Sequence, residues 1–217
     1  SQNAYQMEGL SRNWALFIRN PIGKTGVILL IIFGLMAVGS FLPPQIDTMY
    51  HPMTGVDPLI ANSSPPSWKH WLGTDYMGRD LFSQLLTGAR IAFIVGITSA
   101  FISIVFGTII GMLAGYGGKI LDSVLMRLAD MIMVMPTLLV VLLLSSLLGQ
   151  LNIWAIVLLI ALFRWPGVAR VIRSQTLSLK ERPFIDLAKI SGASHFRIIF
   201  RHIAPNVLPM ALLFMTF

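Results

Sequence analysis

Few residues in this chain have the type and spacing to carry chemistry, and each group fails a different requirement. His51, His70, His195 and His202 are the only histidines. His195 and His202 are seven residues apart, which puts them on one helix face but about two turns distant, and no carboxylate cluster joins them as metal ligands. Cysteine is absent, so disulfides and thiolate sites are excluded. Gly23-Lys24-Thr25 has the ending of a phosphate-binding loop, yet Ile18 fills the place of the first required glycine and no strand precedes it. No nucleophile, base and orienting acid form a catalytic set. Asp130 and Arg164 stand beside or within long apolar runs, where a central charge costs about 2.5 kcal/mol or more. The expectation is a protein without catalysis of its own and with no directly bound metal or cofactor.

The elements that must position these residues belong in a bilayer. Of 217 residues, 55% are hydrophobic and 12% charged, about half the charge of an ordinary soluble domain. A helix needs roughly 20 apolar residues to cross the hydrocarbon. Thr25 to Ile46 is uncharged and loses its apolar centre at Leu42, before Pro43-Pro44. Ile91 to Gly118 is a second uncharged run, closing on Gly115-Tyr116-Gly117-Gly118. Met131 to Phe163 is a third, too long for one span and broken by Gly149-Gln150-Leu151-Asn152, which reads as a hairpin of helices. Its first arm is predicted to begin near Leu125 and to kink at Pro136; its second passes Arg164 towards Ala169. A fifth span starts at Asn206 and is incomplete at Phe217. The organisation expected is a tail with a short interfacial helix near Trp14 over residues 1–24, a first span over 25–42, an external loop over 43–90, and a helical core over 91–217. No cleavable signal follows the first span.

Net charge is +7. In a soluble protein that would raise the question of nucleic acid; here it reports topology. With the N-terminus inside, Arg12, Arg19, Lys24, Lys119, Arg127, Arg164, Arg170, Arg173, Lys180, Arg182, Lys189, Arg197 and Arg201 face the cytoplasm, and only Lys69, Arg79 and Arg90 face outward. The segment 174–205 is then a long cytoplasmic connector. Glu181-Arg182-Pro183 starts a helix on which Phe184, Leu187, Ala188 and Ser191 share a side; Gly192 ends it, and a second short helix runs from Ser194 to Ile203 before Pro205. Lipid attraction alone would not require Gly192 and Pro205 at fixed positions. Gly107, Gly111 and Gly115, four apart, form a close-packing face towards a neighbouring span or a partner. Asp130 and Arg164 have two readings: they line a hydrated cavity or pair with each other, or Asp130 pairs with Arg127 while Arg164 snorkels.

Two sets of residues carry a resemblance. Asp186-Leu187-Ala188, Gly192 and Ile203-Ala204-Pro205 resemble the cytoplasmic signature of inner-membrane permease subunits of binding-protein-dependent ABC importers, with Leu187 where a small residue is usual and His202 where an apolar one is common. Trp71-Leu72-Gly73-Thr74-Asp75, Gly78-Arg79-Asp80, Leu85-Leu86 and Gly88-Ala89-Arg90 are similar to the stretch before the second span in C-type permeases of the dipeptide, oligopeptide and nickel group. The resemblance implies an all-α polytopic bundle of the type I permease fold with about five of six spans present, in a bacterial or archaeal inner membrane. It implies a related second permease, two ATP-binding subunits that hold ATP and Mg2+, and an extracytoplasmic solute-binding protein as partners, with lipid around and no nucleic acid. On this reading Phe184, Asp186, Leu187, Ala188, Gly192, Ala193 and Pro205 couple to the ATPase, and Gly73, Thr74, Asp75, Gly78, Arg79 and Asp80 form an external motif. The cargo would be a peptide, nickel or another small solute. A stand-alone secondary transporter or channel is the rival reading; it would place more charges deep in its spans than Arg164 alone.

Overall fold

The computed structural model describes residues 20–41, 51–52, 54–57, 63–149 and 152–213. The interfacial helix near Trp14, the Pro43-Pro44 break, the Gln150-Leu151 turn and the end of the fifth span at Phe217 lie outside them. Among the described residues regular structure is helical; those between 51 and 80 form turns and irregular loop with one isolated antiparallel bridge between Thr74 and Asp80. Its contacts group into two units, Ser1–Ile94 and Val95–Phe217.

In the first unit, helix α1 (Pro21–Gly39) begins four residues before the expected span, because Asn20 caps it. The Asn20 side-chain oxygen accepts from the Ile22 amide at 3.0 Å, and Pro21 occupies the first turn, where its missing N–H costs nothing. None of its residues is buried. A helix apolar on every side is stable only within lipid or against other spans. The next helix, α2, runs from Leu81 to Tyr116 and starts ten residues before the uncharged stretch. Asp80 is the reason: its Oδ2 accepts from the Ser83 amide at 2.7 Å and caps the helix. At 36 residues it is about 54 Å long, well beyond the hydrocarbon thickness.

The second unit holds the rest of α2 with α3 (Lys119–Val134), α4 (Thr137–Leu148), α5 (Ile153–Lys180), α6 (Pro183–Ile190), α7 (His195–Ile198), a π-helical turn (Ile199–Ile203) and α8 (Ala204–Leu213). The expected kink at Pro136 is a full break. Met135 is extended, as the residue before a proline prefers, and α3 and α4 meet at 74°. By length and composition α1, α2 and α5 can each cross a membrane, and the bent pair α3 and α4 can supply one more crossing. α5 continues to Lys180, so the connector proper begins at Glu181, and Pro166 sits inside α5 without ending it.

Pro205 does not close the connector that follows α5. The chain stays helical from His195 to Leu213. The π turn accommodates it: the Ala204 amide donates to the Ile199 carbonyl five residues back, and the Asn206 side-chain amide donates to the His202 carbonyl at 2.7 Å. A one-residue bulge of this kind absorbs the donor that Pro205 lacks.

Candidate functional site: a glycine-lined helix pair, a docked short-helix knob and a loop staple

Gly107, Gly111 and Gly115 all face α5. A methyl group added at Gly107 would meet Val168 Cβ at 2.7 Å and the Trp165 carbonyl at 2.8 Å. At Gly111 it would meet the Ala169 carbonyl at 2.6 Å and Ile172 Cβ at 2.8 Å, and at Gly115 Thr176 Cβ at 2.7 Å. Partners advance by four residues as the glycines do, so α2 and α5 run side by side in the same direction. That is the arrangement required when both helices cross from one face of a membrane to the other in the same sense. Small residues let two backbones approach closely, and dispersion contacts then replace the hydrophobic drive that lipid does not supply.

α3 crosses this pair in the opposite sense and is held by charges. Asp122 takes a two-pronged contact from Arg173, and Asp130 pairs with Arg170. Asp130 therefore bonds neither Arg127 nor Arg164, the two partners considered from sequence. Helix spacing alone favours Arg127; the antiparallel packing of α3 on α5 brings Arg170 to it instead. Ala129 is fully buried between the charged ends and packs with Trp165, Ala169 and Ile110. Arg164 is exposed and lines a cleft of about 240 Å³ with Ala100, Ser103, Ile104, Gly167 and Val168.

The connector after α5 forms a knob of one short helix, α6, and a turn into the helix that runs on to Leu213, and its attachment is specific. Gly192 has φ +76°, the left-handed conformation that ends helices. The Gly192 amide donates to the Lys189 carbonyl at 3.0 Å and the Ala193 amide to the Ala188 carbonyl at 3.0 Å. These two bonds make a Schellman ending in which Ala193 folds back onto Ala188. Ser194 then caps α7, its Oγ accepting from the Arg197 amide. One face of α6 turns inward: Ile185 is fully buried in a cluster with Val168 and Ile172 of α5, Ile104 and Met112 of α2, and Ile198, Ile203, Val207 and Ala211. Ala188 and Ala193 pack against the same cluster. The other face is free, with Phe184, Leu187 and Ile190 at 40%, 64% and 84% exposure. Asp186 is exposed beside it and pairs with Lys189 at 2.9 Å.

In the first unit the motif at 73–80 is a staple made of its own residues. Gly73 has φ +77°, and a Cβ there would lie 2.2 Å from the Ser64 carbonyl. Thr74 bonds Ser64 through its amide at 3.1 Å and through its hydroxyl, which accepts from the Ser64 amide at 2.9 Å. Asp75 closes a turn: Oδ1 accepts from the Met77 and Arg79 amides at 2.9 Å, and Oδ2 from Arg79 Nε at 2.8 Å and Gln84 Nε2 at 3.1 Å. Gly78, with φ +75°, completes that turn. The same loop holds a buried His–carboxylate cluster that sequence reading missed. His70 presents Nδ1 to Asp80 Oδ1 at 2.9 Å and Nε2 to Asp57 Oδ2 at 3.2 Å, and Lys69 reaches the same Asp57 oxygen at 2.8 Å. Asp57 is 13 residues from His70, and no local spacing joins them. Among the described residues no group of three or more acidic, His or Cys side chains is placed to hold a metal ion.

Partial burial acts to raise the Asp75 pKa, but the Arg79 amide, the Gln84 and Arg79 side chains and the Met77 amide outweigh it and bring it down to about 2. The unfolded value is near 3.8, so ionised Asp75 stabilises the turn fully above about pH 4 and that contribution disappears as pH falls towards 2. Hydrogen exchange at the Met77 and Arg79 amides should therefore be flat from pH 7 down to about 4, after correction for intrinsic rates, and accelerate below it. Asp75→Asn should remove the acid-dependent step.

Long apolar helices packed through glycines, with a short-helix knob seated in the same core, define a multi-pass membrane protein. The chain belongs to the family of binding-protein-dependent transport system inner membrane components, whose model matches residues 107–217. It is 36% identical over 204 residues to the dipeptide transport system permease protein DppC of Bacillus subtilis, covering 94% of this chain and 61% of that one. It is 38% identical over 195 residues to the oligopeptide transport system permease protein OppC of Haemophilus influenzae, covering 88% and 60%. A third relative is the glutathione transport system permease protein GsiD of Pectobacterium atrosepticum, 33% identical over 194 residues, covering 89% and 62%. The chain spans 60 to 66% of the length of the curated relatives it matches.

Proposed function

We propose that this chain forms one half of the translocation path of an ATP-driven peptide importer and receives the motion of a cytosolic ATPase through α6. The observation that supports it most directly is the shared core: Ile185 and Ile198 of the knob are buried with Ile104, Met112, Val168 and Ile172 of two spans. A close-packed core transmits displacement rather than absorbing it. An external force on the exposed Phe184, Leu187 and Ile190 would therefore move α2 and α5 together. The relatives' names supply the cargo class, since they are permeases for dipeptides, oligopeptides and glutathione.

In this scheme the N-terminus and the knob are cytoplasmic, as the distribution of Lys and Arg favours. Two ATP-binding subunits carry ATP and Mg2+; this chain contributes neither. A related permease completes the path, and a solute-binding protein delivers cargo at the external staple, whose Gly73, Thr74, Asp75, Gly78, Arg79 and Asp80 are engaged with one another and hold its shape. The staple residues would act as positioning residues.

Extraction of the full-length protein in mild detergent, with a tag on this subunit, should recover two ATP-binding subunits and a second permease in stoichiometric amount. Peptide uptake by the reconstituted assembly should require ATP. Uptake by the lone polypeptide, without nucleotide, would support the channel reading instead.

A further inference from the structure

A second cleft in the helical unit has no part in that mechanism. It encloses about 460 Å³ between the end of α2, the end of α5 and the knob, and is lined by Tyr116, Gly117, Lys180, Lys189, His195 and Ile199. No lining residue is acidic. Three nitrogen-bearing side chains enter it from three separate elements. Lys180 Nζ donates to the Tyr116 carbonyl at 3.2 Å and stands 5.6 Å from the centre of the Tyr116 ring. Lys189 Nζ donates to Asp186 at 2.9 Å. His195 uses Nδ1 on the Tyr116 hydroxyl at 2.9 Å, which fixes the ring and leaves Nε2 for another partner. Each ammonium has three N–H groups and spends one of them in these contacts. The hydrogen bond to Asp186 also raises the Lys189 pKa, so this cation persists at neutral pH.

We propose that this cleft binds a phosphate-bearing anion, held by Lys180, Lys189 and His195, which ties the base of α6 to the ends of α2 and α5. With the Tyr116 hydroxyl donating to His195 Nδ1, the proton stands on Nε2, and donors then converge from three directions, which suits a tetrahedral oxyanion better than a planar carboxylate; lysine serves phosphate as a point charge. The inference rests on the orientation proposed above, which sets the cleft at the level of the cytoplasmic headgroups. Basic pockets between helices at that level take phosphorylated headgroups; a soluble phosphate compound offers the same chemistry.

The purified full-length complex in nanodiscs separates these sources. In one arm the discs contain phosphatidylcholine with or without phosphatidylglycerol, and native mass spectrometry counts the phosphatidylglycerol retained per complex. In the other, phosphatidylcholine discs are titrated with inorganic pyrophosphate by calorimetry. Binding in the first arm assigns a lipid headgroup, and binding in the second a soluble phosphate. Lys180→Gln with His195→Gln should weaken it about tenfold or more, as loss of charge-assisted hydrogen bonds does, whereas Lys180→Arg should retain most of it. Arg127→Gln, on the exposed face of α3, should have no effect. Saturable binding in neither arm, or equal loss in the cleft variant and Arg127→Gln, overturns the proposal. Because the readout is binding, an empty cleft in a complex with ATP-driven uptake defeats this inference alone. An occupied cleft in a chain that recruits no ATPase defeats the functional reading alone.

Discussion

Gly111→Ile should prevent α2 and α5 from seating against each other and remove most of the folded protein from mild detergent extracts. The added Cβ would fall 2.6 Å from the Ala169 carbonyl and 2.8 Å from Ile172 Cβ, and both atoms belong to a helix that cannot yield locally. Overpacking in a closed core costs about 1–3 kcal/mol even where side chains can shift; here a backbone carbonyl is in the way, so the upper end applies. Ile172 and Val168 also belong to the cluster that seats the knob, and the damage should spread to α6. Gly96→Ala is the internal control: it lies on the same helix with nothing within 4 Å of the added carbon. In that variant the thermal midpoint by size-exclusion retention should stay within a few degrees of the parent. If Gly111→Ile and Gly96→Ala unfold at the same temperature, the glycine face does not hold the bundle.

Residues with strong local signatures were legible in the sequence. Gly192 ends α6 because only a left-handed residue can make the turn, and a helix start followed by glycine at that spacing has few other solutions. The glycines at 107, 111 and 115 announced close packing, although not which helix would meet them. The structure supplies α5, a choice that depends on topology rather than spacing. Properties set by tertiary contact were hidden. Asp130 has Arg127 one turn away and still pairs with Arg170, because packing of α3 on α5 presents a better-placed guanidinium. Pro136 signalled a bend, but the 74° angle follows from where α3 and α4 must go. Pro205 looked like a stop and is carried through a π turn, a device with no sequence marker of its own. The carboxylates around His70 are 10 and 13 residues distant in a loop without periodicity, so local pattern could not assemble them.

The knob itself provides the second large effect. Gly192→Val is expected to reduce ATP-driven uptake about tenfold or more while leaving insertion and abundance intact. The space around Gly192 is open, so the cost is not a clash. It is backbone conformation: φ +76° costs an L-residue about 1–2 kcal/mol, and more when it is β-branched. The chain can escape only by giving up the Ala193 to Ala188 bond and its Schellman ending, which releases Ala188 and Ala193 from the cluster around Ile185. If α6 carries load as proposed, an α6 loosened in this way would turn under it instead of passing it on. Gly192→Asn should restore most of the uptake, since asparagine tolerates the left-handed region, and a side-chain effect unrelated to backbone geometry would not show that rescue. Asp186→Lys tests the outer face: its carboxylate is 61% exposed, and among the described residues the change abolishes only the contact with Lys189. Under the proposed coupling role, ATP hydrolysis should continue in that variant while uptake fails, because the face proposed to meet the ATPase now carries the opposite charge. Uptake at parental levels in both Gly192→Val and Asp186→Lys would mean that α6 is not the element through which ATP hydrolysis reaches the spans.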